Sequence, residues 1–384
     1  MRENTIKTNN RNIKADVIRG FAIITVILGH CIQNGFGWWY FIGGGYWENK
    51  LYQFIYSFHM PLFMLLAGWY AYYSMKKLEG DRKKQWKFWG KKAFTYITPI
   101  FLWTVFEFVR GAILREINGE EQIKIGDLLI SFVSYFFTNL WFLWAILICL
   151  TIVFIMHFYL EDNIPLYVFG FCCLFIIPDA INLGVYKYLM PYYIAAFYVN
   201  MCLDRYSGSE EGENREDEGY GKKFGSIIYK ITGSYKEKPV MYLILSAVIF
   251  GVLFIFYNRD TFIYLSGYRV SRTGFVRQVA LDIYRMIIGF AGSAFFMILF
   301  DRITERFSDY KWPILTAFGR HSLGIYILQG YYILIVMASY TNNLVGIRWY
   351  YIPVETVLIC AVSLITTIIL EKIPVLKILV GKVK

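Results

Sequence analysis

Arg19 and His30 stand eleven residues apart in one apolar run, Asp16-Val-Ile-Arg19-Gly-Phe-Ala-Ile-Ile-Thr-Val-Ile-Leu-Gly-His30. At about 100° per residue, that interval returns to within about 20° of its starting direction. A helix therefore carries both side chains on one face, ~16 Å apart along its axis, about half of the ~30 Å hydrocarbon core. An ionisable side chain at such depth is costly, and its default reading is functional, facing a bundle interior or a water-filled cavity. The imidazole can move a proton, and the guanidinium fork suits phosphate. Two blander readings compete: a packed histidine bonded to a carbonyl, and a topology anchor snorkelling into headgroups. Asp16, three residues before Arg19, can pair with it.

His59 lies at a depth similar to His30 if the second apolar run is an antiparallel neighbour of the first, and Pro61 can kink that run beside it. Two imidazoles converging at one depth suit proton transfer, and burial disfavours their charged form. Glu107 and Arg110 form another i, i+3 pair, which neutralises itself inside the bundle or touches a polar substrate. Trp141 reads as part of an aromatic belt or as a sugar-stacking platform. His157 reads as an interface anchor, and His321 has no assigned role.

These residues need long helices to position them. Of 384 residues, 57% are hydrophobic and only 17% charged, against roughly 25% in soluble domains. The apolar residues come in blocks, which predicts an all-α polytopic membrane helix bundle with about ten transmembrane helices. The spans are expected near 17–36, 51–73, 94–112, 140–160, 165–183, 188–204, 239–257, 282–300, 314–337 and 350–370. Lys and Arg cluster in the tail, in the loops after spans two, six and eight, and after the last span, so both termini are expected to be cytoplasmic. Arg259, Arg269, Arg272 and Arg277 then fall in an outer loop, as tolerated scatter or as an anion or sugar site. The net charge of +11 flanks the apolar blocks, which fits topology and a lipid surface, not nucleic acid. Residues 1–384 read as one integral membrane domain, with a disordered cytoplasmic insertion at about 207–221 and an interfacial or re-entrant element at 126–139. The six cysteines all lie in apolar segments with no metal or disulfide spacing. No nucleotide-binding loop, zinc motif or nucleophile elbow appears.

Four stretches resemble membrane acyltransferase family 3, the polytopic O-acetyltransferases of envelope polysaccharides. They are Asp16-x-x-Arg19-Gly with His30; Phe54-x-x-x-Phe-His59-x-Pro61-Leu-Phe63 with Ala67-Gly68; Lys91-Lys92 before Pro99; and Phe318-Gly319-Arg-His-Ser322-Leu-Gly324-Ile-Tyr326-Ile-Leu-Gln329. Together they anchor about residues 13–110 and 314–380, while the middle matches in hydropathy alone. Two departures stand out. The family often has an arginine pair where this chain has Lys92 and Thr95, which loses the bidentate geometry. Gln329 stands where a histidine is often found, which leaves hydrogen bonding but not proton transfer.

The resemblance implies an acyltransferase of the cell membrane that modifies cell-envelope or lipid-linked carbohydrate. It implies acetyl-CoA as co-substrate, with no tightly bound cofactor and no metal. Arg19, Lys91 and Lys92 would meet the donor phosphates, His30 and His59 would carry the chemistry, and Asp16, Glu107, Arg110, Ser322, Tyr326 and Gln329 would support them. The alternative from another class is a non-enzymatic transporter or flippase of a lipid-linked glycan, since buried His, Glu and Arg also suit proton coupling.

Overall fold

The computed structural model describes residues 12–35, 45–121, 124–176, 183–210, 220–267, 274–333 and 350–382, and among them every regular element is helical. The helices are α1 (Ile13–Gly35), α2 (Lys50–Lys76), α3 (Arg82–Asn118), α4 (Ile125–Thr138), α5 (Trp141–Tyr159), α6 (Ile164–Ile176), α7 (Leu183–Glu210), α8 (Tyr220–Glu237), α9 (Pro239–Ile255), α10 (Ile263–Ser266), α11 (Phe275–Arg306), α12 (Pro313–Arg320), α13 (Ser322–Tyr331) and α14 (Tyr351–Lys372). Short 3-10 turns occupy Gly45–Glu48, Arg259–Thr261 and Leu376–Val380.

Six of these helices (α1, α2, α3, α5, α11 and α14) are long and apolar enough to cross a membrane. A seventh span counts if α8 and α9, bent by 109° at Lys238, are taken as one. The polytopic all-α bundle read from the sequence is therefore present, with six or seven such helices among the described residues. The remaining expected spans correspond to shorter, broken or more polar elements. Helix α6 has 13 residues and α9 has 17. The stretch from 314 breaks at His321 into α12 and α13. Helix α7 is long but carries Lys187, Asn200 and Asp204 among its apolar residues. A hydropathy window averages across such breaks and does not see them.

The centre of the bundle is α1 against α12 and α14, and α2 against α7 and α11. Without a hydrophobic force between helices in lipid, close association depends on small residues that let backbones touch. At Gly20 an added Cβ would come within 2.0 Å of the Leu315 carbonyl oxygen; at Gly319 it would come within 1.9 Å of that of Asp16. The glycines of the first and last motifs thus make one crossing of α1 and α12. That crossing brings the Arg19 and Ser322 stretches together. Gly68 does the same for α2 and α7, where a Cβ would meet the Tyr193 carbonyl oxygen at 2.1 Å. Helix α2 runs through Pro61 as a single helix.

The expected element at 126–139 is helix α4, which has no buried residue. Asp81 caps α3, accepting from the Lys84 amide at 3.0 Å; that bond holds its carboxyl below the usual range. Of the expected insertion at 207–221, residues 211–219 lie outside the described residues, and α7 and α8 flank them.

Candidate active site

His30 projects from α1 towards α13, where its Nδ1 is 2.9 Å from Gln329 Oε1. His59, on α2 and 2% exposed, donates from Nδ1 to the Ile55 carbonyl at 2.7 Å. A carbonyl oxygen only accepts, so in each ring Nδ1 carries the proton and Nε2 keeps the lone pair. That leaves Nε2 of each ring as the nitrogen able to accept a proton. The two rings lie within electrostatic reach of each other. The Tyr56 ring packs edge-on to His59 at 4.6 Å between centroids, and Gly29 of α1 leaves room for that tyrosine.

The principal cavity, of about 220 Å³, is bordered by Arg19 and Lys92 and runs between α1, α2, α5 and α13. Arg19 stacks over Tyr70 at 4.3 Å and pairs with Asp16 at 3.6 Å. Asp16 is buried and also pairs with Arg320 at 3.5 Å, so the carboxylate anchors two guanidinium groups at the α1–α12 crossing. Lys92 borders the cavity near Phe88. Beyond these cations the wall is apolar and aromatic, with Val26, Phe63, Phe142 and Tyr326. Ser322 and Tyr326 line it too, and the Tyr326 hydroxyl accepts from the Phe142 amide at 3.3 Å.

A second, smaller cavity of about 20 Å³ touches Tyr56, Trp141, Tyr188 and Arg285. Three elements order the two cavities the same way. Along α2, Tyr56 borders the small one, Met60 borders both, and Phe63 to Ser74 border the large one. Trp141 and then Phe142 on the α5 side, and Tyr188 and then Tyr193 on α7, repeat the order. On α1 the large cavity takes Arg19, Ile23 and Val26, and His30 comes one turn later. Neither histidine lines either cavity; along their helices they fall at the boundary, His59 next to Met60 and His30 one turn past Val26.

The family described as "Acyltransferase domain" matches residues 12–372. The chain belongs to this family. Nodulation protein NolL of Sinorhizobium fredii is 31% identical over 140 residues, which is 36% of this chain and 35% of that protein. Nodulation protein NolL of Mesorhizobium japonicum is 24% identical over 197 residues, covering 50% of this chain and 48% of its own length. The chain thus spans about a third to a half of the length of these curated relatives. No solved structure matches it. The family match and the long apolar helices make it a multi-pass membrane protein.

In this acyltransferase-family chain Arg19, Lys92, Ser322 and Tyr326 line the large cavity, whereas Asp16, His30, His59 and Gln329 line neither cavity and reach it only through neighbouring residues. Lys91 is exposed and absent from the cavity wall. Glu107 and Arg110 pair with each other at 2.6 Å on α3 and border neither cavity. Arg277 pairs with Asp260 at 2.9 Å on the surface, whereas Arg269 and Arg272 lie outside the described residues. His157 binds Asp162 at 2.9 Å, and His321 meets Glu371 at 2.8 Å where α12 gives way to α13.

Glu355 and Arg285 are among the buried polar groups that escaped the sequence reading. Glu355 of α14 accepts from Asn34 of α1 at 2.8 Å, one turn beyond His30. Arg285 of α11 is 2% exposed and pairs with Asp282 at 2.6 Å. The signal for both was available: a lone carboxylate in an apolar run, and an i, i+3 acid–base pair of the kind read at Glu107 and Arg110.

Proposed function

We propose that this protein transfers an acyl group, in the simplest case acetyl, from a coenzyme A thioester to a hydroxyl of cell-envelope or lipid-linked carbohydrate. The observation that carries the reading is the principal cavity: cations at one end, an apolar wall along its length, and the Gln329-oriented His30 one turn past its last α1 residue. Donor phosphates fit beside Arg19 and Lys92, the cytoplasmic end by the distribution of basic residues. The thin pantetheine arm then lies along the apolar wall, with the thioester near the histidines.

His30 Nε2 takes the proton of the acceptor hydroxyl as its oxygen attacks the thioester carbonyl carbon. The carbon–sulfur bond breaks, and the imidazolium returns the proton to the departing thiolate. Gln329 positions the ring by accepting from Nδ1 and supports the imidazolium as it forms. His59, whose Nδ1 is tied to Ile55, is the second base at the boundary.

The test is acetyl-CoA consumption and glycan labelling by purified protein in lipid nanodiscs supplied with envelope glycans and no ion gradient. His30→Ala should lose about 10²–10⁴-fold in rate while the protein inserts and folds normally. Activity within about tenfold of wild type, ~1.4 kcal/mol on the barrier, rules out a base role for His30. Thioester turnover without a gradient also separates this reading from a flippase.

A further inference from the structure

We infer that the small cavity beyond the histidines is the binding site for an uncharged sugar ring of the acceptor, closed by a lid of residues 259–267 that Arg285 latches shut. The inference rests on the acyl-transfer reading above and adds where the acceptor sits.

The cavity has the chemistry of a carbohydrate site. Trp141, Tyr188, Tyr257 and Tyr264 line it, offering flat apolar faces with polar edges. It lies beside the reacting centre, since Met60 separates it from the donor cavity and its Tyr56 wall packs against His59. At about 20 Å³ it has room for a water molecule and not for a sugar ring, so occupancy requires the cover to lift.

The cover is one small folded piece. Asn258 and Thr261 cap each other's backbone in a reciprocal box, and Ser266 Oγ donates to the Asp260 carbonyl at 2.7 Å. Its Phe262 is a plug, 2% exposed, packed edge-on to Trp47 at 4.7 Å and stacked with Tyr52 at 5.4 Å. Arg285 holds this piece from beneath. It donates from Nε to the Thr261 carbonyl at 2.6 Å, and from its terminal nitrogens to the carbonyls of Gly267 at 2.7 Å and Asp260 at 3.3 Å and to Ser266 Oγ. All of these partners belong to the lid. The ion-pair partner, Asp282, instead sits one turn away on α11 and stays with Arg285 when the lid moves.

That division decides the ligand class. Lifting the lid frees the guanidinium donors that held its carbonyls, and sugar hydroxyls accept from them in exchange. The charge stays neutralised by Asp282 throughout, so opening exposes no unpaired buried cation and the site gains no affinity for an anion. A neutral ring, stacked on the aromatic wall and bonded to Arg285, then presents a hydroxyl towards His30 and His59.

The exposed Asp260–Arg277 pair offers a way to lock the lid to α11. Asp260→Cys with Arg277→Cys, on a Cys172→Ser background, is bridged with a short cleavable bis-thiosulfonate in nanodiscs. The probes are radiolabelled acetyl-CoA with the envelope glycan fraction, and coenzyme A alone for donor binding. Bridging should slow glycan labelling at least tenfold and leave coenzyme A binding unchanged, with recovery on reduction; single-cysteine variants treated alike should be unaffected. Trp141→Ala should raise the KM for glycan about tenfold and leave the KM for acetyl-CoA unchanged. Labelling at the unbridged rate in the bridged protein overturns the lid, and an equal loss of coenzyme A binding overturns its assignment to the acceptor. If the unbridged protein binds coenzyme A but labels no glycan, the carbohydrate reading itself fails, and the sugar site with it.

Discussion

Helices α1 and α3 both carry an acid–base pair three residues apart, and they use it differently. In α1, 72% of the apolar window is buried inside the protein; in α3 the share is 17%. The α1 pair, Asp16 and Arg19, is drawn into a network: Asp16 also holds Arg320, and Arg19 lies over Tyr70 at the cavity. The α3 pair, Glu107 and Arg110, closes on itself; among the described residues Glu107 Oε1 has no hydrogen-bond partner. The same spacing thus joins a wider network on a helix that protein surrounds and closes on itself on a helix that faces mostly outward. Surroundings, not motif, decide which.

The largest test of that contrast replaces glycines. Gly319→Ala forces a Cβ onto the Asp16 carbonyl, and overpacking of this kind costs about 1–3 kcal/mol or more. It should lower the thermal midpoint sharply in detergent and abolish activity. Gly111→Ala on α3 meets nothing nearer than Arg115 at 4.0 Å and gains helix propensity, so its midpoint should hold or rise. Equal shifts in the two would erase the distinction between the helices.

A smaller effect sharpens the α1 side. Gln329→Leu leaves His30 Nδ1–H without its acceptor, a cost of about 1–3 kcal/mol, or roughly 5- to 150-fold in kcat. Gln329→Glu keeps an acceptor and should restore most of that rate. Equal losses in both would make Gln329 a packing residue only.

Within α3 itself, adjacent lysines should separate. Lys92→Ala should raise the KM for acetyl-CoA about tenfold, consistent with loss of one charge-assisted bond to phosphate. Exposed Lys91→Ala should change it less than twofold. A larger effect at Lys91 would turn the basic end of the cavity outward. Smallest of all in its effect on turnover, Arg110→Ala should leave both KM values unchanged, while the largely buried Glu107 carboxylate it strands costs about 1–3 kcal/mol of stability, read from the same melting curves.

Much of the site was legible because it is built on helical periodicity and intramembrane cost. Arg19, His30 and His59 announce themselves as polar groups in apolar runs, and Asp16 follows by spacing. What spacing does not encode is which helices touch. Nothing local joins Gln329 to His30 across 299 residues, or Glu355 to Asn34 across 321. Arg285 was obscured by the neighbouring cluster of arginines between 259 and 277, although its i, i+3 partner was in plain view. The number of long straight helices was less legible than their existence, because the break at His321 falls between two largely apolar stretches.

The segment Leu376–Val380 has a consequence for the order in which the protein is made. Its Leu379 carbonyl accepts from Trp103 of α3 at 3.0 Å, across 276 residues of chain. Gly381 sits against Thr95 of α3 and Leu323 of α13, pinning the outward-facing helix to the centre. At about 5–20 residues per second of synthesis, α3 is in place for some tens of seconds before its clasp exists. During that interval its lipid-facing side has to be tolerated by the bilayer alone. The seating of α3 against the rest of the bundle therefore waits for residues 376–381 to be made.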